Sequence, residues 1–177
     1  MSLRDRLLLV AVPVLAIGFV ACGNDDGTAV RDGGSASGSS SASAAALACE
    51  TVGDPSTADT TVAVDLTEFE LTPSPASAPA GVVAFEATIS GAHAHELVVV
   101  AGAPDSMPLD ADGALDESKL ADGALIGEIE PFPAGETCAG AFELEAGDYT
   151  LLCNIIEDHD PKEVHVAEGM IAPFTVE

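Results

Sequence analysis

The residues best suited to chemistry are Cys153, His165 and Met170, in that order near the C-terminus, with His93 and His95 far upstream at the start of an apolar run. One thiolate, two imidazoles and one thioether make a mixed ligand set. Soft sulfur suits Cu(I) and imidazole suits Cu(II), so a His2Cys set with a weak axial Met is the pattern of a copper centre that passes single electrons. The spacing His165-Val-Ala-Glu-Gly-Met170 lets one short loop offer an imidazole and a thioether to the same ion. Hydrolysis by a Cys–His pair fits poorly, since no Asn or Asp is evidently poised to orient the histidine. Four histidines in total are too few for the several copper clusters of a multicopper oxidase.

The elements that must hold these side chains read as strands. Val62, Val64 and Leu66 alternate with polar or small residues, and the phase then flips at Glu68 so that Phe69 and Leu71 carry the apolar positions. Such a flip predicts a β-bulge or a strand crossing between sheets. Pro73, Pro75 and Pro79 end that strand, Ala80-Gly81 turns the chain, and Val82 to Ser90 follows. His93 and His95 share one strand phase and are expected to point the same way. Leu97 to Ala101 is the short apolar run of a buried strand. Pro104 to Leu125 is acidic and rich in turns, with Asp116 to Leu120 predicted as one or two helical turns capped by Asp116. Ala-Asp-Gly-Ala-Leu occurs at Ala111 to Leu115 and at Ala121 to Leu125, a local duplication in a loop. Ile126 to Ile129, Ala139 to Leu144, Tyr149 to Asn154 and Phe174 to Val176 resume strand character. Short strands separated by Pro and Gly turns predict an all-β antiparallel sandwich with Greek-key connections.

Three stretches carry a family resemblance. Ala146-Gly-Asp-Tyr-Thr-Leu-Leu-Cys153-Asn resembles the strand entering the copper loop of plastocyanin-like cupredoxins. His165-Val-Ala-Glu-Gly-Met170-Ile-Ala-Pro-Phe-Thr-Val resembles the far end of that loop and the closing strand. Gly81 to His95, followed by Glu-Leu-Val-Val, resembles the strand and turn that deliver the first histidine. The resemblance spans roughly Val62 to Val176. It implies a single cupredoxin domain, type 1 copper held by His95, Cys153, His165 and Met170, an electron carrier rather than an enzyme, and a ring edge open to solvent as the electron's exit. It also implies a redox partner protein. The chain departs from the short-loop members in placing eleven residues between Cys153 and His165. His159 lies in that insert and stands as the alternative second imidazole; His165 is preferred for its spacing to Gly169-Met170. His93 is the alternative to His95. Asn154, after the cysteine, is expected to hydrogen-bond around the loop. Two other readings remain: a copper-delivery protein without redox turnover, and a metal-free interaction module of the same fold.

The front of the chain is not fold. Arg4 and Arg6 precede the apolar run Leu7 to Val20, which fits a secretory leader over residues 1–21. Phe19-Val-Ala-Cys22 resembles a bacterial lipobox, with Cys22 the lipidated residue. Ordinary cleavage nearby and a short uncleaved anchor are the alternatives, and all three place the remainder outside the cytoplasm. Residues 22–47 are rich in Gly, Ser, Ala and Asp and read as a flexible tether. Residues 48–177 make one domain.

Acidic residues number 30 against 5 Lys plus Arg, for a formal net charge of −25. Nucleic acid is excluded as a partner on that balance, and a docking partner is expected to carry a basic patch. The excess is equally the mark of a solvated surface. Cys49 and Cys138 remain once Cys22 and Cys153 are assigned, and an oxidising compartment favours a disulfide between them. The rival pairing, Cys138 with Cys153, would abolish the copper site.

Overall fold

The computed structural model describes residues 47–177. The leader, Cys22 and nearly all of the tether lie outside the described residues. Among the described residues, no helix is long and apolar enough to cross a membrane.

Eleven strands form the domain: β1 Thr60–Thr67, β2 Glu70–Ser74, β3 Ser77–Ala78, β4 Gly81–Ile89, β5 His95–Ala101, β6 Leu125–Phe132, β7 Thr137–Leu144, β8 Gly147–Leu152, β9 Ile156–Glu157, β10 Glu163–Val164 and β11 Ile171–Val176. One sheet runs β2-β1-β4-β7, the other β3-β11-β8-β5-β6, and β9 pairs with β10 alone. The expected sandwich is present, but β1 lies parallel to β4 and β3 parallel to β11. Alternation of apolar residues records which face is buried, not the direction of the neighbour, so it is silent on this point.

Val62, Val64 and Leu66 on β1 and Val83, Phe85, Ala87 and Ile89 on β4 face the residues of the second sheet in one buried core. Phe85 meets Phe174 edge-on at 5.2 Å, joining the sheets. Each fully buried side chain of this size contributes about 1.5–3 kcal/mol. Tyr149 caps the lower part of β8, its hydroxyl donating to the Glu145 carbonyl at 2.9 Å.

The phase flip at Glu68 is neither a bulge nor a crossing. It is a two-residue hairpin turn, since Thr67 pairs with Glu70 and Leu66 with Leu71. Pro73 lies inside β2, opposite Val64, rather than ending the strand; β2 is an edge, where a missing N–H is tolerated. The sheet crossing falls between β2 and β3, in the proline-rich segment.

β5 is buried on both faces. Leu97 and Val99 enter the main core, while Val98 and Val100 pack with Leu115, Leu152 and Val166 in a second cluster under the 102–124 loop. Both copies of Ala-Asp-Gly-Ala-Leu are turns, with Gly113 and Gly123 at φ 91° and 76°. The helix expected at Asp116 is a single 3-10 turn, Glu117–Lys119. The Asp116 carboxylate holds the Ser118 hydroxyl and the Lys119 ammonium instead of capping backbone N–H groups.

Asn154 joins this loop to the end of β8. Its side chain accepts from Leu115 N at 2.7 Å and donates to Leu115 O at 3.2 Å, as expected of a residue bracing the loop. Its own N–H donates to Glu96 at 2.8 Å. Burial pushes the Glu96 carboxyl up to about 7. Asn154→Ala leaves both Leu115 groups without their partner, so denaturant unfolding is expected to show a loss of about 1–3 kcal/mol.

Candidate metal centre

Four segments meet where β8 ends. Cys153 follows β8 directly, and its N–H donates to the Met170 carbonyl at 3.0 Å. His95 opens β5, the antiparallel neighbour of β8. His165 opens a one-turn helix, α1 His165–Glu168, that the strand pattern did not anticipate. Met170 N donates to the His165 carbonyl at 2.9 Å, closing that turn. The four-residue gap between histidine and methionine is thus one helical turn and its glycine. Gly169 sits at φ 126°, and a Cβ there would stand 2.9 Å from the Phe69 carbonyl. The loop therefore needs glycine to approach the β1–β2 turn.

Three donor atoms converge. Cys153 Sγ lies 3.3 Å from His165 Nδ1 and 3.9 Å from His95 Nδ1, and the two nitrogens are 3.2 Å apart. All three side chains are fully buried, as is Met170. Burial pushes the Cys153 thiol up to about 12. Burial also lowers both imidazoles from their ordinary value; the neighbouring His165 lowers His95 further. Burial thus favours the neutral form of both rings and of the thiol.

The alternative ligands are elsewhere. His159 is exposed near the turn of the β9–β10 hairpin, with Nε2 3.1 Å from Glu157. His93 is also exposed, in the turn before β5, so it does not share the orientation of His95. The two histidines differ because β5 begins only at His95. The insert, read as an acidic loop, forms the β9–β10 hairpin, and Glu157 reaches to 3.9 Å from His93 Nδ1 and 3.9 Å from His165 Nε2. Lys162 ties it to Asp112 of the 102–124 loop. No ring edge reaches solvent: His95 and His165 are both 0% exposed, a correction to the expected exit path.

Two supporting residues escaped sequence reading. Phe69 adopts φ 62°, an outlier for a bulky residue costing about 1–3 kcal/mol, and its ring meets His165 edge-on at 5.8 Å. Glu68, beside it, accepts the His93 and Ala92 N–H groups at 2.8 and 2.6 Å, and these hold its carboxyl at about 2. Adjacent polar and aromatic residues at a hairpin turn are the one sequence signal available for them.

The sandwich, with His95, Cys153 and His165 buried together, has a cupredoxin-like fold. The fold is similar to that of auracyanin B, with TM-score 0.50 and 20% identity over 75% of this chain and 98% of that one. Auracyanin from the photosynthetic bacterium Roseiflexus castenholzii aligns with TM-score 0.45 and 22% identity over 68% and 98% of the two chains. Rusticyanin from Thiobacillus ferrooxidans aligns with TM-score 0.47 and 16% identity over 72% and 80%. No protein-family model and no curated protein matches the chain.

The residues present fit type 1 copper. Donor separations of 3.2–3.9 Å suit three atoms sharing one ion at bond lengths of about 2.0–2.3 Å. The outer nitrogens, His95 Nε2 and His165 Nε2, are buried without a hydrogen-bond partner, while the inner nitrogens converge with the thiol. Cys138 does not pair with Cys153, because it is bonded to Cys49 with Cα atoms 5.4 Å apart.

Metal uptake at neutral pH must displace the Cys153 proton and no imidazole proton. The apparent copper affinity is therefore expected to rise about tenfold per pH unit between pH 7 and 9, steepening only below the lowered imidazole range. Calorimetry in buffers of differing ionisation enthalpy counts the released proton directly.

Proposed function

We propose that this protein is a one-electron carrier working outside the cytoplasm, with type 1 copper held by His95, Cys153 and His165 and with Met170 as the axial thioether. The convergence of three buried donors within 4 Å of one another carries this reading. Copper would supply the one-electron couple. The chain supplies donors fixed by β5, β8 and α1, so that both oxidation states meet nearly the same geometry. The Cys49–Cys138 bond supports an oxidising compartment, in keeping with the leader and with Cys22 as lipid anchor. A net charge of −25 favours a redox partner with a basic docking patch, whose encounter rate falls as salt rises.

The test is a Cu(II) titration of the purified chain followed by visible absorption, with repeated reduction and reoxidation before a competing chelator. An intense blue band that bleaches, returns and survives the chelator is the expected result. Metal lost to the chelator on reduction would make the protein a delivery factor. A colourless protein with Cys153 free would leave a metal-free module.

A further inference from the structure

The two outer ring nitrogens each face a carboxylate. Glu68 Oε1 lies 3.9 Å from His95 Nε2, and Glu157 Oε1 lies 3.9 Å from His165 Nε2. Both nitrogens are buried without a partner. The carboxylates come from different segments, Glu68 from the β1–β2 turn and Glu157 from the insert. Glu68 is anchored by the Ala92 and His93 N–H groups. Once the inner nitrogens hold a cation, each Nε2 carries the ring proton and becomes a donor. A separation of 3.9 Å closes to a hydrogen bond by a small ring or side-chain shift, or through one water.

We propose that Glu68 and Glu157 are positioning residues for the two copper-ligating imidazoles, each receiving one Nε2–H and together biasing the bound ion towards Cu(II). The inference rests on the copper reading above. A carboxylate on the far nitrogen raises the basicity of the ligand and fixes the ring. Its charge also stabilises a doubly charged ion more than a singly charged one. The insert between Cys153 and His165 thereby acquires a role, since it supplies Glu157.

The experiment measures the midpoint potential of the copper-loaded chain and of Glu68→Gln, Glu157→Gln and the double variant. Glu145→Gln, exposed before β8 at the far end from Cys153, controls for net charge. Glutamine keeps an acceptor for Ala92 and His93 while removing the charge. Each single variant is expected to keep the blue band and shift the Cu(I) to Cu(II) ratio towards Cu(I) by about tenfold, which is about 59 mV for a one-electron couple. The control should not move. In the diamagnetic Cu(I) form, nitrogen-edited NMR should show two slowly exchanging ring N–H signals, with Glu68→Gln moving that of His95 and Glu157→Gln that of His165. A Cu(I) to Cu(II) ratio within twofold of the control, or ring N–H signals in fast exchange in the parent protein, overturns the inference. Absence of the blue band in the parent protein overturns the copper reading instead.

Discussion

Cys153→Ser is expected to erase the blue band and lower Cu(II) affinity by at least about a thousandfold, or about 4 kcal/mol. The serine hydroxyl does not ionise at a copper site as a thiol does, so the strong anionic donor is gone while both imidazoles remain. The substitution is nearly isosteric, and the Cys153 N–H bond to Met170 is made by backbone, so the fold should persist. A buried hydroxyl costs about 1–3 kcal/mol where no acceptor is near, but His165 Nδ1 stands 3.3 Å from the replaced atom and can accept it. The variant is therefore a folded protein with a damaged site. Copper titration by visible absorption, with circular dichroism to check the fold, separates the two. Retention of the band in the serine variant would remove Cys153 from the ligand set, and Cys153 is the one free cysteine among the described residues.

What could be read from the sequence follows from what periodicity reports. The alternation on Thr60–Thr67 and the continuous apolar run of β5 are statements about burial, and burial is what the sandwich imposes on them. Cys153 and His165 stand out because they are close in the chain and chemically distinctive, and the structure brings them together with His95. The hairpin turn at Glu68 was not legible: a bulge and a two-residue turn both reverse the apolar phase, and Phe69 is a residue that positive φ normally excludes. His95 is preferred to His93 for the Glu-Leu-Val-Val that follows it, but their different placements depend on where β5 begins, which residue type does not show. The insert hid its fold because β9 and β10 have two residues each, too short for any period to register. The surroundings of His165, with Glu157 and Phe69 beside it, depend on segments far apart in sequence. Pairwise contacts of that kind leave no local pattern.

The double substitution Cys49→Ser with Cys138→Ser is expected to lower the unfolding free energy of the metal-free protein by about 4 kcal/mol, a loss of roughly a thousandfold in the folding equilibrium. The two residues are 89 apart in sequence, so the bond closes a long loop and removes much of the freedom of the unfolded chain. The native structure contributes as well. Val52, three residues after Cys49, bridges to Gly140 and exchanges hydrogen bonds with Ala139 and Ala141 at 3.1 and 2.9 Å, which covers the free edge of β7. Without the covalent tie that short segment frays and exposes a strand edge. The two effects are distinguishable in denaturant. An unfolded-state effect expands the denatured chain and raises the m-value along with lowering the midpoint, whereas loss of native contacts alone moves the midpoint. The native state gathers three donors that the unfolded chain scatters, so saturating copper should restore part of the lost stability, growing with the logarithm of its concentration. An unchanged midpoint in the metal-free variant would mean that the bond does not constrain this domain.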